Sequence, residues 1–426
     1  MYNQFMKGSE KKHIKKKQVK AAKQGKLRKS AKLKQTDLAA EFVVSFVPQG
    51  KSKEEIGQVS IPKKNAITKK WSWAKIVLIY VLIGLVIAVP VYFVAVNWPA
   101  GKTIDLGIPK KEENKQQIII DREDLKYEMP LSGVKVAKEG LTKGRPIAVS
   151  IENSPNARPQ SGLDKADIIY ETVAEGGITR FLAFFQRNEP NEIGPVRSAR
   201  TYFLDWVAAY DAVFVHFGGS DAAKARIIDD DIKEVNGIVG EGGFWRDSTR
   251  ESPHNVYTSY AKIQAAMQRK GYSKESEISA YIFKEDMVLE KRSKSQNIKI
   301  NFSGGAAYKV TWIYDREKNA YKRILGGFAH EDRVTSADLY AKNVVVQEVM
   351  AYPSDSTEQH SKKTIGSGNA TIYLDGNKID ATWKKPNLKS PTRFYDKSGL
   401  EIEFNRGQTW FEVLTQNGSF SDSEQQ

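Results

Sequence analysis

The sequence contains no cysteine in its 426 residues. In this sequence the absence excludes disulfide bonds, thiolate nucleophiles, zinc or iron–sulfur sites with cysteine ligands, and a lipid anchor attached through cysteine. Histidine is scarce as well, with only five residues in the chain. There is no HExxH pattern, no Walker loop and no G-x-S-x-G elbow. The sequence therefore predicts no metal site, no cofactor and no assignable catalytic residue.

Negative charge is nearly missing from the first part of the chain. Residues 1–75 hold 20 of the 66 Lys and Arg residues but only 5 of the 51 Asp and Glu residues, and the whole chain carries a net charge of +15. Subtraction leaves 46 basic and 46 acidic residues in the remainder. The calculated pI of 9.4 therefore gives no indication of an acidic partner for that remainder.

A long apolar run follows the basic segment. Residues 76–96 are 21 residues without a charged side chain, and at about 1.5 Å per residue such a helix spans the roughly 30 Å core of a bilayer. Trp71 and Trp98 flank the run as interfacial aromatic residues do, and lysines flank only its N-terminal end. The pattern predicts a single-pass membrane protein, with the N-terminus in the cytosol and the later domains outside the cell.

The basic segment, residues 1–75, is predicted to be a disordered cytosolic tail. Its stretch 7–34 mixes Lys and Arg with small residues and cannot bury a core. Contact with anionic lipid is the simplest role. Aromatic residues that would stack on bases are missing, so nucleic acid is not an expected partner. Docking of a cytosolic protein on the tail remains an alternative.

The rest of the chain indicates an α+β ectodomain. Residues 97–143 are polar, contain three prolines and predict a stalk. Periodicity then favours a mixed α/β domain over 144–288, a β-rich domain over 289–416 and a disordered tail over 417–426.

Within the first domain, the pattern predicts strands at 147–152, 168–173, 181–186 and 212–217, and helices at 199–210, 222–230 and 260–269. Ser220 or Asp221 is expected to cap the second helix. In the second domain, the predicted strands are 308–314, 320–325, 344–350, 371–374, 393–395, 400–404 and 410–414.

Several long phrases resemble a known family. RPIAVSIENSPNARPQSGLDKADIIYETVAEGGITRFLAFFQ, EIGPVRSARTYFLDW and AVFVHFGGS resemble the N-terminal domain of the YerB-like family of bacterial surface lipoproteins, and NATIYLDGNKIDATWKK, PTRFYD and GQTWFEVL resemble its C-terminal β domain. Together they cover about residues 141–414. The resemblance implies an envelope location and an α/β domain followed by a β domain, but no activity. The chain departs from the family pattern because it has a membrane run in place of a lipidated cysteine.

An arginine-rich turn is the first candidate site. Arg197 and Arg200 lie at a predicted helix start, where free backbone N–H groups and guanidinium groups favour an anion. Arg180 and Arg158 are expected to converge on them. The alternative is a structural network in which these arginines pair with nearby carboxylates.

A second group of residues could line a cleft. His216 ends an apolar strand, His254 and Asn255 lie in a long irregular loop with Arg246, and Asp221 begins a helix. Two histidines with a carboxylate could hold a metal or act in hydrolysis, but their spacing follows no known pattern. If Trp383 or Trp410 is exposed, carbohydrate stacking also becomes an option.

These observations favour a non-enzymatic, membrane-anchored module of a Gram-positive envelope, which binds an anionic wall polymer or an envelope protein. The first rival is an extracellular hydrolase that acts on wall material. The second is a scaffold whose tail recruits a cytosolic partner.

Overall fold

The computed structural model describes residues 125–353 and 360–423. The predicted tail, the predicted membrane helix over 76–96 and the first part of the predicted stalk lie outside these ranges. In the described ranges, no helix is both long and apolar enough to cross a membrane.

Three α-helices are found in the described part of the chain. They are α1 (Thr201–Ala209), α2 (Asp221–Asp229) and α3 (Tyr260–Arg269). The predicted helices are thus confirmed. Ser220 is the N-cap of α2, because its hydroxyl accepts a hydrogen bond from the backbone N–H of Ala223 at 3.2 Å.

Strands make up most of the remaining regular structure. Their bounds are β1 Tyr127–Glu128, β2 Lys135–Val136, β3 Ile147–Glu152, β4 Ile168–Glu175, β5 Ile178–Phe185, β6 Val213–His216, β7 Glu234–Asn236, β8 Phe244–Arg246, β9 Val256–Thr258, β10 Phe283–Lys284, β11 Asn297–Asn301, β12 Val310–Asp315, β13 Ala320–Leu325, β14 Phe328–Ala329, β15 Tyr340–Ala341, β16 Asn343–Glu348, β17 Ala351–Pro353, β18 His360–Lys362, β19 Gly366–Leu374, β20 Asn377–Lys385, β21 Arg393–Tyr395, β22 Phe404–Asn405, β23 Thr409–Leu414 and β24 Ser419–Ser423.

One mixed sheet joins strands from both predicted domains. Its order is β21-β20-β19-β16-β23-β4-β5-β3-β6-β7. The junction is the parallel pair β4 and β23, in which Ile168 lies opposite Thr409 and Glu171 opposite Glu412. The strands β3, β6 and β23 are buried along their whole length, as expected for strands covered on both faces. The two predicted domains therefore contribute to one hydrophobic core on each side of this sheet.

Each face of the large sheet is covered by different elements. Ile169 on one face shares a buried cluster with Ile263 of α3 and with Trp312 of a second sheet. That second sheet has the order β14-β13-β12-β11-β24, and β15 pairs with β13. On the other face, Tyr170 stacks on Trp206 of α1 with ring centroids 4.4 Å apart. The result is a strand-rich fold with helices on both faces at the N-terminal half.

The folded body is larger than the sequence predicts. Within the predicted stalk over 97–143, Met129 and Leu131 are each only 1% exposed, and β1 pairs with β2. The tail expected to be disordered from 417 contains β24, which pairs with β11. Both expectations are corrected for these residues. Both expectations relied on the polar composition of these residues. Backbone hydrogen bonds and two buried apolar side chains are enough to order such polar segments.

Candidate functional site

The candidate arginines lie at one edge of the large sheet. β3 pairs in parallel with β6, and β6 with β7. β4 has the same direction, because it and β3 are both antiparallel to β5. The carboxyl ends of these four strands therefore meet at one edge, which we call the carboxyl edge. In open sheets with parallel strands, ligands commonly bind at such an edge.

Two of the arginines share one carboxylate. Arg180 of β5 pairs with Glu175 at the end of β4, with 3.2 Å between Nη2 and Oε2. Arg200, which precedes α1, pairs with the other oxygen of Glu175. Their remaining hydrogen bonds go to backbone carbonyl oxygens, that of Ser198 for Arg180 and that of Ala199 for Arg200. Glu175 thus clamps both guanidinium groups.

The third arginine has a partner of its own. Arg197 Nε lies 3.2 Å from Oε2 of Glu152, the last residue of β3. The other oxygen of Glu152 accepts hydrogen bonds from Ser154 Oγ at 2.8 Å and from His254 Nδ1 at 2.9 Å. Glu152 is only 5% exposed, whereas the side chains of Arg197 and His254 are 26% and 18% exposed. Glu152 is thus a buried carboxylate that orients two partly exposed basic groups.

Positive charge exceeds negative charge in this group. Arg180, Arg197 and Arg200 face two carboxylates, Glu152 and Glu175. Burial and the nearby charge of Arg200 lower the pKa of Arg180 to about 10, despite the opposing charge of Glu175. The guanidinium groups are therefore close enough to repel one another, and an added anion would relieve that repulsion.

Arg158 does not join this group through any contact found in the described residues. Its guanidinium donates to the backbone carbonyl of Ala307 at 2.7 Å and to the carbonyl of Asn153 at 2.8 Å. It also lies over the ring of Tyr308, 5.1 Å from the centroid. Arg158 thus links a loop of the first predicted domain, residues 144–288, to a loop of the second, residues 289–416.

His216 is buried, and both nitrogen atoms of its ring have hydrogen-bond partners. Its Nδ1 lies 2.7 Å from the carbonyl oxygen of Gly218, and its Nε2 lies 2.6 Å from Glu234. Burial raises the pKa of Glu234, but the hydrogen bond and charge of His216 outweigh this effect, so the pKa lies below its ordinary value. With both nitrogens engaged, His216 is not available to a metal or a substrate.

The remaining cleft candidates make separate contacts. Arg246 donates to the side chain of Asn255 at 2.8 Å and lies over the ring of Phe217. Asp221 is exposed and pairs with Lys224 in its own helix. The structure therefore brings Arg246 to Asn255, whereas His254 contacts Glu152.

The hypotheses of a metal site and of carbohydrate stacking are not supported by the described residues. No group of three or more His, Asp or Glu side chains that could hold a metal ion is found in the described part of the chain. Trp383 and Trp410 are 2% and 0% exposed, so neither offers a face for carbohydrate stacking. Gly368 covers Trp383, since a Cβ atom there would lie 2.6 Å from the indole nitrogen.

A buried ionic network, which was not among the predicted sites, lies between the two predicted domains. Arg323 of β13 pairs with Glu171 of β4 and, at 2.7 Å, with Glu412 of β23, and all three side chains are 0% exposed. Trp312 Nε1 donates to Glu412 at 2.7 Å. Burial and the charges of Arg323 and Arg158 lower the pKa of His330 well below its ordinary value. His330 Nδ1 can therefore accept from Arg323 Nε at 3.1 Å.

The sequence does contain a signal for this network. Glu412 lies between Trp410 and Leu414 on the period of a strand, and Arg323 lies between Tyr321 and Leu325 in the same way. A charge at the inward position of an apolar strand predicts a buried pair.

Comparison with known proteins finds one family model for each of the two predicted domains. Residues 131–273 match the family model described as the N-terminal domain of a protein of unknown function, DUF3048. Residues 298–411 match the model described as its C-terminal domain. The chain belongs to the DUF3048 family. The expected YerB-like resemblance is confirmed.

A DUF3048 relative has also been crystallised. A protein of Bacillus subtilis (strain 168) named "Putative lipoprotein YerB" is 34% identical over 291 residues, which are 68% of this chain and 86% of that protein. The crystal structure of YerB from Bacillus subtilis matches with a TM-score of 0.64 at 34% identity, and the match covers 70% of this chain and 100% of that chain. The two-domain, strand-rich DUF3048 fold is therefore shown for this chain.

Proposed function

We propose that this protein is a surface module of the bacterial envelope that binds an anionic group of the cell wall at the carboxyl edge, without chemistry of its own. The observation that carries the proposal is the charge excess of Arg180, Arg197 and Arg200 over Glu152 and Glu175. Burial is the largest cause of the lowered pKa of Arg180, and the repulsion from Arg200, which adds to it, supports the proposal. An oxyanion that enters such a group forms charge-assisted hydrogen bonds.

An envelope location is supported by the relative named as a lipoprotein. The mode of anchoring is a separate part of the proposal. This sequence has no cysteine to carry a lipid but has the apolar run over 76–96. In this proposal, a helix over 76–96 anchors the chain, residues 1–75 face the anionic inner leaflet, and the family domains lie outside. Such a tether raises the effective concentration of the module near the wall.

Co-sedimentation with purified cell walls tests the proposal. Full-length protein in detergent is mixed with walls that retain or lack their anionic polymers, and the bound fraction is measured at low and moderate salt. Wild-type protein is expected to bind only the walls that retain the polymers. Arg197→Ala combined with Arg200→Ala is expected to lose most of this binding, and salt is expected to weaken it.

Arg187→Ala is the matched control. Arg187 follows β5 at the opposite edge of the sheet, is 37% exposed and lies 3.6 Å from Asp167. It therefore resembles Arg197 in exposure and pairing but not in position. Equal binding by the double variant and the control would refute an anion site at the carboxyl edge, and a folded wild-type protein that ignores walls would refute wall binding altogether.

A further inference from the structure

We propose that the side chains of Lys284 and Asn405 react with each other to form an isopeptide bond, and that Asp375 is the general base of this reaction. The bond would be a covalent amide between Nζ of the lysine and Cγ of the asparagine. Asn405 precedes the first residue of β23, so the group lies at the edge of the large sheet opposite to the carboxyl edge. The inference is therefore independent of the proposed anion site.

Lys284 and Asn405 lie on two strands that run side by side. β10 pairs in parallel with β22, and Lys284 lies opposite Asn405 in the register. The backbone of Asn405 is also held by the side chain of Asn343, which accepts from its N–H and donates to its carbonyl oxygen, both at 2.9 Å. The two reacting side chains are thus positioned by the backbone on which they lie.

The amine nitrogen is close to the carbon that it would attack. Nζ of Lys284 lies 2.7 Å from Oδ1 of Asn405. A carbonyl bond is about 1.2 Å long, so Cγ of Asn405 lies within about 4 Å of Nζ. Reacting atoms in productive complexes are typically about 3–3.5 Å apart. A small movement of the lysine side chain is therefore enough to bring Nζ onto Cγ.

One carboxylate contacts both the attacking nitrogen and the leaving nitrogen. Oδ2 of Asp375 lies 2.5 Å from Nζ of Lys284, and Oδ1 accepts from Nδ2 of Asn405 at 2.8 Å. Asn319 Nδ2 also donates to Oδ1, at 2.7 Å. Burial favours the neutral acid, but hydrogen bonds from Lys284, Asn319 and Asn405 outweigh it and lower the pKa of Asp375. Asp375 is therefore ionised and able to accept a proton.

The group is largely shielded from water. Asp375 and Asn405 are 0% exposed, and the side chain of Lys284 is 25% exposed. Phe404, which precedes Asn405, is 1% exposed and packs edge-to-face on Tyr281 with ring centroids 5.3 Å apart. Exclusion of water prevents hydrolysis from competing with the amine. The partly exposed lysine leaves a route by which the small product can escape.

The reaction balances without a cofactor or an oxidant. Asp375 takes one proton from the Lys284 ammonium group, and the neutral amine attacks Cγ of Asn405. Asp375 then passes its proton to Nδ2 and takes a second proton from Nζ. The Cγ–Nδ2 bond breaks, ammonia leaves and carries off that second proton as ammonium, and the carboxylate is restored. One amide bond is formed and one is lost.

The cross-link would close a long loop of the chain. Lys284 and Asn405 are about 120 positions apart in the sequence, and β11 to β21 lie between them. Closing a loop of this length removes conformations from the unfolded chain. The chain has no cysteine, so no disulfide bond contributes to such a closure or to a change in mass.

The mass of the denatured full-length protein tests the proposal. Loss of ammonia makes the wild-type protein lighter than its sequence by about 17 Da. Proteolytic digestion is expected to yield one branched peptide that contains both Lys284 and Asn405. A structural ion pair has the same contacts but leaves the mass unchanged and the two peptides separate.

Two variants identify the reacting groups. Lys284→Arg keeps the positive charge but has no amine, and Asp375→Asn removes the base while Lys284 and Asn405 remain. Both are expected to have the full mass of their own sequences, apart from any processing that they share with wild type. A mass deficit retained by Asp375→Asn would overturn the role of Asp375 as the base.

Lys322→Arg is the matched control. Lys322 is 32% exposed and pairs with Asp338 at 2.6 Å, but its strand neighbours Ile313 and Tyr340 carry no amide side chain. This variant is expected to keep the wild-type mass deficit and the branched peptide. A wild-type protein with the full mass of its sequence and two separate linear peptides would overturn the isopeptide bond, whether or not any variant folds.

Discussion

Arg323 is a fully buried charged residue of the core, and it lies between two carboxylates. Glu171 and Glu412 both pair with it, and Trp312 adds a hydrogen bond to Glu412. One guanidinium group cannot neutralise two buried carboxylates. Burial is the largest effect on Glu412, and together with the charge of Glu171 it outweighs the attraction of Arg323 and raises the pKa of Glu412 to about 8. Near neutral pH the trio therefore carries little net charge.

This pKa leads to a prediction about stability. Because the folded protein holds a proton on Glu412 that the unfolded chain loses above its ordinary pKa of 4.5, the free energy of unfolding falls as pH rises from about 4.5 to 8. His330 has the opposite effect at acid pH, since its neutral ring is favoured in the fold. Glu412→Gln imitates the protonated carboxyl. We expect the variant to lose less stability than wild type between pH 6.5 and 8.5 in urea unfolding.

The outcome has a clear alternative. If Glu412 is ionised in the fold at neutral pH, Glu412→Gln removes one carboxylate partner of Arg323. The variant would then be less stable than wild type at pH 6.5, and the difference would not shrink at higher pH. That result would contradict the protonated assignment.

At the scale of elements, two adjacent glycines in the loop between β11 and β12 have opposite surroundings. A Cβ atom on Gly304 would overlap the carbonyl oxygen of Gly177, in the hairpin between β4 and β5. No atom of the described residues lies within 4 Å of a Cβ atom built on Gly305, whose φ of −64° suits any residue. The close contact between the loop and the hairpin therefore requires glycine at position 304 but not at position 305.

This difference gives a matched pair of variants. Gly304→Ala is expected to destabilise the protein by about 1–3 kcal/mol, as overpacking does. Gly305→Ala is expected to be neutral or slightly stabilising, because it reduces the freedom of the unfolded chain. Urea unfolding of both variants measures the difference. Equal stabilities would show that the loop and the hairpin are not in contact.

Local patterns explain why many elements could be predicted from the sequence. The apolar run of β3 and the helical spacing of α3 lead to the bounds that the structure shows, Ile147–Glu152 and Tyr260–Arg269. The predicted strands 168–173 and 181–186 correspond to β4 and β5, which pair as a hairpin. β20 was not predicted, although it alternates between buried and exposed residues, because charged side chains fill its exposed positions. β24 lacks even that signal, since its order depends on pairing with β11.

At the scale of the whole molecule, the two sequence segments meet in the middle of the large sheet. β4 and β23 are about 240 residues apart in sequence yet pair in parallel, and local periodicity carries no information about such a pairing. For the same reason, the sequence suggested that the candidate arginines are close together but not that Glu152 and Glu175 hold them. The partners of a charged group depend on the tertiary fold.

The shared sheet predicts that the segments depend on each other for folding. Residues 125–288 expressed alone lack β23 beside β4, and Glu171 loses Arg323. We expect this fragment to show no cooperative unfolding transition, whereas the intact chain unfolds in a single one. Circular dichroism of the fragment, alone and co-expressed with residues 289–426, measures this. A cooperative transition in the isolated fragment would show that the first segment folds independently.

The central claim is that the carboxyl edge attracts an anion because its arginines outnumber their carboxylate partners. Glu175→Gln tests it most directly, since this change removes the carboxylate that clamps Arg180 and Arg200. The measurement is the affinity of full-length protein for the anionic polymer, compared between wild type and the variant at equal salt. The account predicts several-fold tighter binding by Glu175→Gln. Unchanged or weaker binding by a folded variant would contradict it and assign the arginines to a structural role.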